Sequence, residues 1–336
     1  MLHDQIIDFI NTTGITSTKG IQEEFECSVS TVERARRALR KNEFTNSQAP
    51  PEDLDVPTLL RRKSESYQIY KSYRDHTKLI PIQVNIDGPI GICHFGDPHI
   101  DDDGCDIDQL INDVAIVHNT IGMFAGNVGD TVNNWVGRLA ELYNKQSTTA
   151  KQGWALTEWL IKSLNWLYIV GGNHIMWSGH RDPLQWLIGQ TGNYGPSSVR
   201  MALNFSNGRE VRVNVRHDFK GHSQWNQTHG SMKAAQMGWR DHILANGHKH
   251  ISGQGFVIDP SSGLISHCLQ VATYKIIDDY AEQLCLPNQN VSPNVTTIID
   301  PDAKLERQLV TVFWDLEYAA DYLNFLRKKN QRKRSN

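Results

Sequence analysis

Five hydrophobic runs in this chain each end in a short cluster of Gly, Asp, Asn or His. PIGICHF leads into GDPH, IGMFAGN into the Gly-Asp pair at Asp130, LYIVGG into Asn173 and His174, EVRVNVR into His217 and Asp218, and HILANG into HKH. Short apolar runs bounded by turn residues read as strands, and LIPIQVN just before the first of them reads the same way. Between the early runs lie segments of helical period, such as IDQLINDVAIVHN and stretches near residues 135–165 and 184–188. The second part is strand-rich, with GQGFVID, LISHCLQVA and QLVTVFWD, and one helical run near Met232–Trp239. Alternation followed by clustered strands predicts an α/β layered domain with a mixed sheet. In an open α/β sheet the loops at the carboxyl ends of strands converge on one crevice. The residues after all five runs are therefore expected to share one site.

Those residues are Asp97, His99, Asp130, Asn173, His174, His217, His248 and His250. They offer carboxylate, amide and imidazole donors without a thiolate. That mixture suits Mn, Fe or Zn, and it holds too much imidazole for Mg or Ca alone. Seven of them as ligands exceed the four that one tetrahedral ion needs, which points to two ions sharing a carboxylate. Two ions about 4 Å apart generate a hydroxide at neutral pH and stabilise both oxygens of an in-line displacement. Phosphate-ester hydrolysis is the reaction that most needs this. After the fourth run three histidines compete for one place: His217 follows the strand directly, with His222 as runner-up and His229 beyond.

The series GDPH, GD, GGNH, His, GHKH resembles the signature of the calcineurin-like metallophosphoesterase superfamily, including its bacteriophage-encoded and DNA-repair-exonuclease-like members. The resemblance covers Asp97–His250 directly. It implies a four-layer α/β/β/α sandwich over residues 80–318 and two divalent metal ions, Mn2+ first, with Fe or Zn as alternatives. It further implies that Asp97, His99 and His250 hold one ion, that Asp130 bridges, and that Asn173, His217 and His248 hold the other. His174 would lie beside the metals as general acid or as a donor to the phosphoryl group. The superfamily usually follows GNH with Asp or Glu, where this chain has Ile175.

Outside that domain, residues 1–45 read as a small all-α unit. Ile6, Ile7 and Ile10, then Ile21 and Phe25, then Val32, Ala35 and Leu39 recur at helical spacing. Ser30 followed by Glu33 is a capping-box pattern, and a tight turn at Cys27–Ser28 gives a helix-turn-helix layout. The third helix carries Arg34, Arg36, Arg37, Arg40 and Lys41. Arg36, Arg37, Arg40 and Lys41 are the candidate nucleic-acid contacts, a plain three-helix bundle with a solvated basic face being the alternative. Residues 46–79 read as a linker, with three prolines between Thr45 and Pro57, and a lead-in helix expected to pack against the α/β domain. Residues 319–336 read as a C-terminal helix and basic tail. Its run RKKNQRKR reads as a solvated end, or as a phosphate contact.

Composition removes several classes. No apolar stretch reaches membrane-spanning length, Asp4 and Asp8 stand where a signal peptide would be basic, and the five scattered cysteines form no CxxC pair. A cytoplasmic protein without a membrane partner is expected, in the host cytoplasm if phage-encoded. A net charge of -3 gives no global pull toward nucleic acid, so the local basic helix carries that case. The expected function is metal-dependent phosphodiester hydrolysis by an activated hydroxide, as a DNA nuclease or phosphodiesterase. Hydrolysis of a small-molecule or protein phosphate ester is the alternative. A non-catalytic replication or repair scaffold is a third reading, which the intact ligand set opposes. Oligomeric state is left open, a homodimer being compatible.

Overall fold

A computed structural model describes residues 2–15, 17–43, 54–76, 78–178, 182–189, 193–283, 285 and 287–335. The chain forms two compact units, Met1–Lys71 and Ser72–Asn336. In the first, α1 (Leu2–Thr13), α2 (Thr18–Phe25) and α3 (Val29–Glu43) enclose a small core of Ile6, Ile10, Ile21, Val32 and Ala35. Phe9 meets Phe25 edge-on at 5.3 Å. The turn between α2 and α3 begins at Glu26 in left-handed conformation. The cap of α3 is Ser28, two residues before the expected Ser30: its Oγ accepts from the Thr31 amide at 3.3 Å. Ser28 ends the turn, so its carbonyl already takes the first helical bond, and Ser30 lies inside the first turn.

Arg34 and Arg37 are exposed on α3, whereas Arg36 is half-buried and donates to Thr18 Oγ1 at 2.9 Å. The side chains of Arg40 and Lys41 lie outside the described residues, as does the linker before residue 54. The lead-in helix forms as α4 (Val56–His76). Its Leu60, Tyr67 and Ile69 are exposed.

The second unit holds β1 (Ile80–Gln83), β2 (Ile90–Phe95), β3 (Met123–Asn127), β4 (Trp166–Val170), β5 (Asn193–Gly195), β6 (Ser198–Asn204), β7 (Glu210–Arg216), β8 (Ile243–Asn246), β9 (Gly253–Ile258), β10 (Ile265–Gln270), β11 (Asn294–Ile299) and β12 (Val310–Phe313). They build two six-stranded mixed sheets, ordered β1-β6-β7-β8-β10-β9 and β12-β11-β2-β3-β4-β5. Side chains alternate across each strand. Ile90, Ile92, Val170, Val213, Val215 and Ala245 fill the layer between the sheets. On the outer face of the second sheet, Cys93, Phe95, Ala125 and Ile169 pack under α5 (Ile107–Asn119), α6 (Ala150–Ser163), a short α7 (Asn173–Met176), α8 (Pro183–Ile188) and the C-terminal helix. On the outer face of the first, Leu244 and Cys268 pack under α9 (His229–Gln236). A short α10 (Asp279–Gln283) precedes β11, and the C-terminal helix is α11 (Leu316–Ser335). The result is the expected α/β/β/α layering.

The basic C-terminal run is helical. It continues α11, whose Leu323 is buried in the outer layer and whose Arg327 donates to the Pro89 carbonyl at 2.7 Å.

Three strands were not foreseen: β5, β6 and β11. The sequence of β11, NVTTII, is buried along its whole length although half of it is polar. Thr297 satisfies its hydroxyl on His94 Nε2 at 3.0 Å, and His94 Nδ1 meets the Tyr168 hydroxyl at 2.5 Å. Burial disfavours the charged ring and lowers the His94 pKa to about 3, so this ring is a neutral core group.

What matters for the site is direction. Strands β2, β3 and β4 are parallel neighbours in one sheet, and β7 and β8 are parallel neighbours in the other. Because the two sheets face each other, the carboxyl ends of these five strands open at one edge of the sandwich. Ile92 lies fully buried between the sheets. Ile92→Ala is expected to cost about 2–5 kcal/mol, read as a lower urea midpoint with an unchanged slope.

Candidate metal centre

Each predicted ligand is set by the loop that leaves its strand. Asp97 and His99 follow β2, Asp130 follows β3, Asn173 and His174 start α7 after β4, His217 follows β7, and His248 and His250 follow β8. His99, Asp130, Asn134, His248 and His250 all have positive φ, between 41° and 71°. Left-handed backbone disfavours side chains with a Cβ, and such strain gathers at functional sites. Two motif glycines give room for the cluster. A Cβ on Gly172 would lie 2.2 Å from Asp130 Oδ1, and one on Gly247 would lie 2.3 Å from Asp97 Oδ1.

Three histidines have their tautomer fixed by an acceptor. The Nδ1–H of His99 donates to Asn133 Oδ1 at 2.9 Å, that of His174 to the Asn133 carbonyl at 2.6 Å, and that of His217 to the Val128 carbonyl at 3.2 Å. In each ring the outer nitrogen is therefore Nε2, turned toward the cluster. His99 Nε2 faces His250 Nε2 at 3.2 Å, and Asp97 Oδ2 lies 3.5 Å from that same His250 nitrogen. His217 Nε2 is 2.8 Å from Asn173 Oδ1, 3.0 Å from Asp130 Oδ2 and 3.1 Å from His248 Nδ1.

These contacts resolve into donor groups: Asp97, His99 and His250; Asp130, His217 and His248; and, linking them, His99, Asp130 and His174. Within each group the ligand atoms lie within 4.8 Å of one another. Asn173 joins the second group through His217. His222 stands exposed in the loop after His217 and belongs to none of the groups.

The fit to cations can be tested on the protein itself. Asp97 Oδ1 is buried without a hydrogen-bond partner among the described residues, and His217 Nδ1 is 3.7 Å away. An unsatisfied buried carboxylate oxygen is costly, and facing imidazole nitrogens a hydrogen bond apart share at most one proton. Both features suit divalent ions.

Electrostatics says the same. Burial pushes Asp97 up to about 8, with Asp130 adding repulsion and His217 opposing it. Burial acts against charge at Asp130 too, but the His217 hydrogen bond and charge, with His174 and His99, hold it below the usual carboxylate range. Burial disfavours charge on His217 while Asp97 and Asp130 outweigh it, raising that ring to about 9. Burial also lowers His99, and it takes His250 to about 4.

Several participants were missed in the sequence. Asp101, Asp102 and Asp103 follow GDPHI and, as a run of three acids, read from sequence as a solvated loop, yet Asp101 and Asp102 are buried. Asp101 accepts from the Asn133 amide at 2.7 Å, and Asp102 from Asn133 Nδ2 at 3.0 Å. They hold the residue that orients His99 and His174. Asp103 is the exposed member. Lys275 Nζ lies 3.2 Å from Asp102 and 3.3 Å from Asp278, whose other oxygen is 3.9 Å from His250 Nδ1.

No family model and no curated protein matches the chain. Among solved structures it is similar to vacuolar protein sorting 29 from Cryptosporidium parvum, at 13% identity and a TM-score of 0.36 over 68% of this chain and 97% of that one. It is also similar to a conserved uncharacterized protein from Streptococcus pneumoniae TIGR4, titled a predicted phosphoesterase. That likeness has 11% identity and a TM-score of 0.29 over 68% of this chain and 100% of the other. At such scores neither likeness carries an argument, and the chemistry of the site rests on its own geometry.

The raised Asp97 and His217 have a consequence for stability. Without metal, the native state holds protons on both groups that the unfolded chain has released above its ordinary carboxyl and imidazole pKa values. Their stabilisation is present at low pH and is lost as pH rises through about 8 for Asp97 and about 9 for His217. The chelated protein is expected to melt at progressively lower temperature from pH 6.5 to 9. Added Mn2+ should raise the melting temperature more at pH 8.5 than at pH 6.5, because the cation replaces those protons.

Proposed function

We propose that the Ser72–Asn336 unit is a metal-dependent phosphoesterase that cleaves phosphodiester bonds, with DNA as substrate and the N-terminal three-helix unit as its docking module. The observation that carries this reading is the sharing of Asp130 between donor groups built from five strand ends. Two divalent cations, Mn2+ first with Fe or Zn as alternatives, would be held by Asp97, His99 and His250 and by Asn173, His217 and His248, and would supply Lewis-acid charge to the phosphoryl oxygens. Asp130 would reach both.

The remaining roles belong to the chain's own groups. His174 is half-buried, with Nδ1 committed to the Asn133 carbonyl and Nε2 3.8 Å from Asp130 Oδ2. With both ring nitrogens protonated, the imidazolium gives its Nε2 proton to the leaving oxygen as the bond from phosphorus to that oxygen breaks. The attacking water oxygen joins phosphorus, and its released proton returns the ring to the imidazolium form. The products are an alcohol and a phosphate ester with one substituent fewer.

A panel with added Mn2+ tests the reaction: single- and double-stranded DNA, bis-p-nitrophenyl phosphate and p-nitrophenyl phosphate. DNA and the diester should be hydrolysed. Turnover of the monoester alone, or of none, would overturn the reading. His174→Asn is expected to lower diester turnover about 10²–10⁴-fold at unchanged metal content. Loss of metal with activity retained would contradict its role. For docking, Arg34→Ala combined with Arg37→Ala should flatten the slope of log DNA affinity against log salt, by roughly 0.9 for each phosphate contact removed.

A further inference from the structure

A cleft of about 770 Å³ opens where the loop after β3 meets the end of α7. Its walls include Val136, Arg138, Leu139, Trp177, Ser178 and Pro183. It adjoins the candidate centre: the Trp177 ring lies against the His174 ring with centroids 4.1 Å apart. One residue ties the wall to the centre. Asn134 Nδ2 donates to the His174 carbonyl at 2.7 Å and to Ser178 Oγ at 2.8 Å.

The lining has a definite chemistry. Trp177 is 39% exposed, Val136 and Leu139 are each 38% exposed, and Arg138 stands exposed beside them. An uncovered indole flanked by aliphatic side chains is a stacking surface for a planar ring, and a neighbouring guanidinium suits an attached phosphate. Position supplies the rest. The group that protonates a leaving oxygen stands on the leaving side of the phosphorus, and the cleft lies directly beyond that group.

We infer that this cleft receives the nucleobase on the leaving-oxygen side of the scissile phosphate, its ring against Trp177 and Leu139, with Arg138 meeting the next phosphate along. The assignment rests on the phosphodiesterase reading above and adds a specificity subsite to it.

Binding tests the subsite apart from turnover. The full chain is titrated with thymidine 3′-monophosphate, thymidine 5′-monophosphate and 2-deoxyribose 5-phosphate, with and without Mn2+, following tryptophan fluorescence and heat. At least one thymidine isomer is expected to bind about 10- to 100-fold tighter than the sugar phosphate. Trp177→Ala should reduce that preference to within about threefold, and Trp177→Phe should retain most of it. Because Trp177 also packs against His174, Leu139→Glu on the exposed wall is the second variant and should weaken the preference as well. Equal binding of nucleotide and sugar phosphate by the native protein overturns the subsite. So does a preference that survives both Trp177→Ala and Leu139→Glu. Absence of bis-p-nitrophenyl phosphate hydrolysis by the native protein with any metal would instead overturn the underlying reaction, whatever the binding ratio.

Discussion

Asp97 and Asp130 are two carboxylates buried in one polar pocket, and the centre is arranged around the cost of holding them there. Burying a charge costs several kcal/mol after relaxation, and a second like charge nearby raises that cost. His217 sits between them, with Nδ1 3.7 Å from Asp97 and Nε2 3.0 Å from Asp130. Asp97 first and then Asp130 raise its pKa, and the depressed pKa of Asp130 is the other end of the second attraction. Even so, Asp97 keeps one buried oxygen without a hydrogen-bond partner among the described residues. A proton on His217 offsets part of the charge, and divalent cations would offset it more fully.

The sandwich makes that arrangement rigid. Parallel strands from two sheets deliver their carboxyl ends to one edge, so ligands far apart in sequence start from fixed backbone. The loops then bend sharply, through left-handed residues and through glycines whose missing Cβ is occupied by ligand oxygens. Asn133 joins the parts. Its side chain orients His99, its carbonyl orients His174, and its own amide groups are held by Asp101 and Asp102.

The layered fold and the five loops were legible because each candidate ligand follows the end of a strand, so local pattern and global placement coincide. Strand β11 was harder: Asn294, Thr296 and Thr297 are buried in it, Thr297 bonded to His94, and these polar residues erase the hydrophobic signal that usually marks a buried strand. The aspartates after motif one read as solvent-facing because nothing in a run of three acids reveals that two of them will meet Asn133. Ile175 occupies the place where an acid would have announced a partner for His174, and it is buried in the outer core. The partner is instead a backbone carbonyl, which every residue possesses and which leaves no trace in sequence. The cap of α3 shifted by two residues for a similar reason. Ser28 and Ser30 are equivalent in composition, and the left-handed Glu26 decides between them.

The shared carboxylate is the point on which the chemistry turns, and manganese reports on it directly. The metal-free protein is titrated with Mn2+ while bound metal is counted and the electron paramagnetic resonance spectrum is recorded. Two ions per chain with an exchange-coupled spectrum, replaced by uncoupled binding in Asp130→Asn, is the expected result. Binding of no more than one magnetically isolated ion by the native chain would contradict a dinuclear centre.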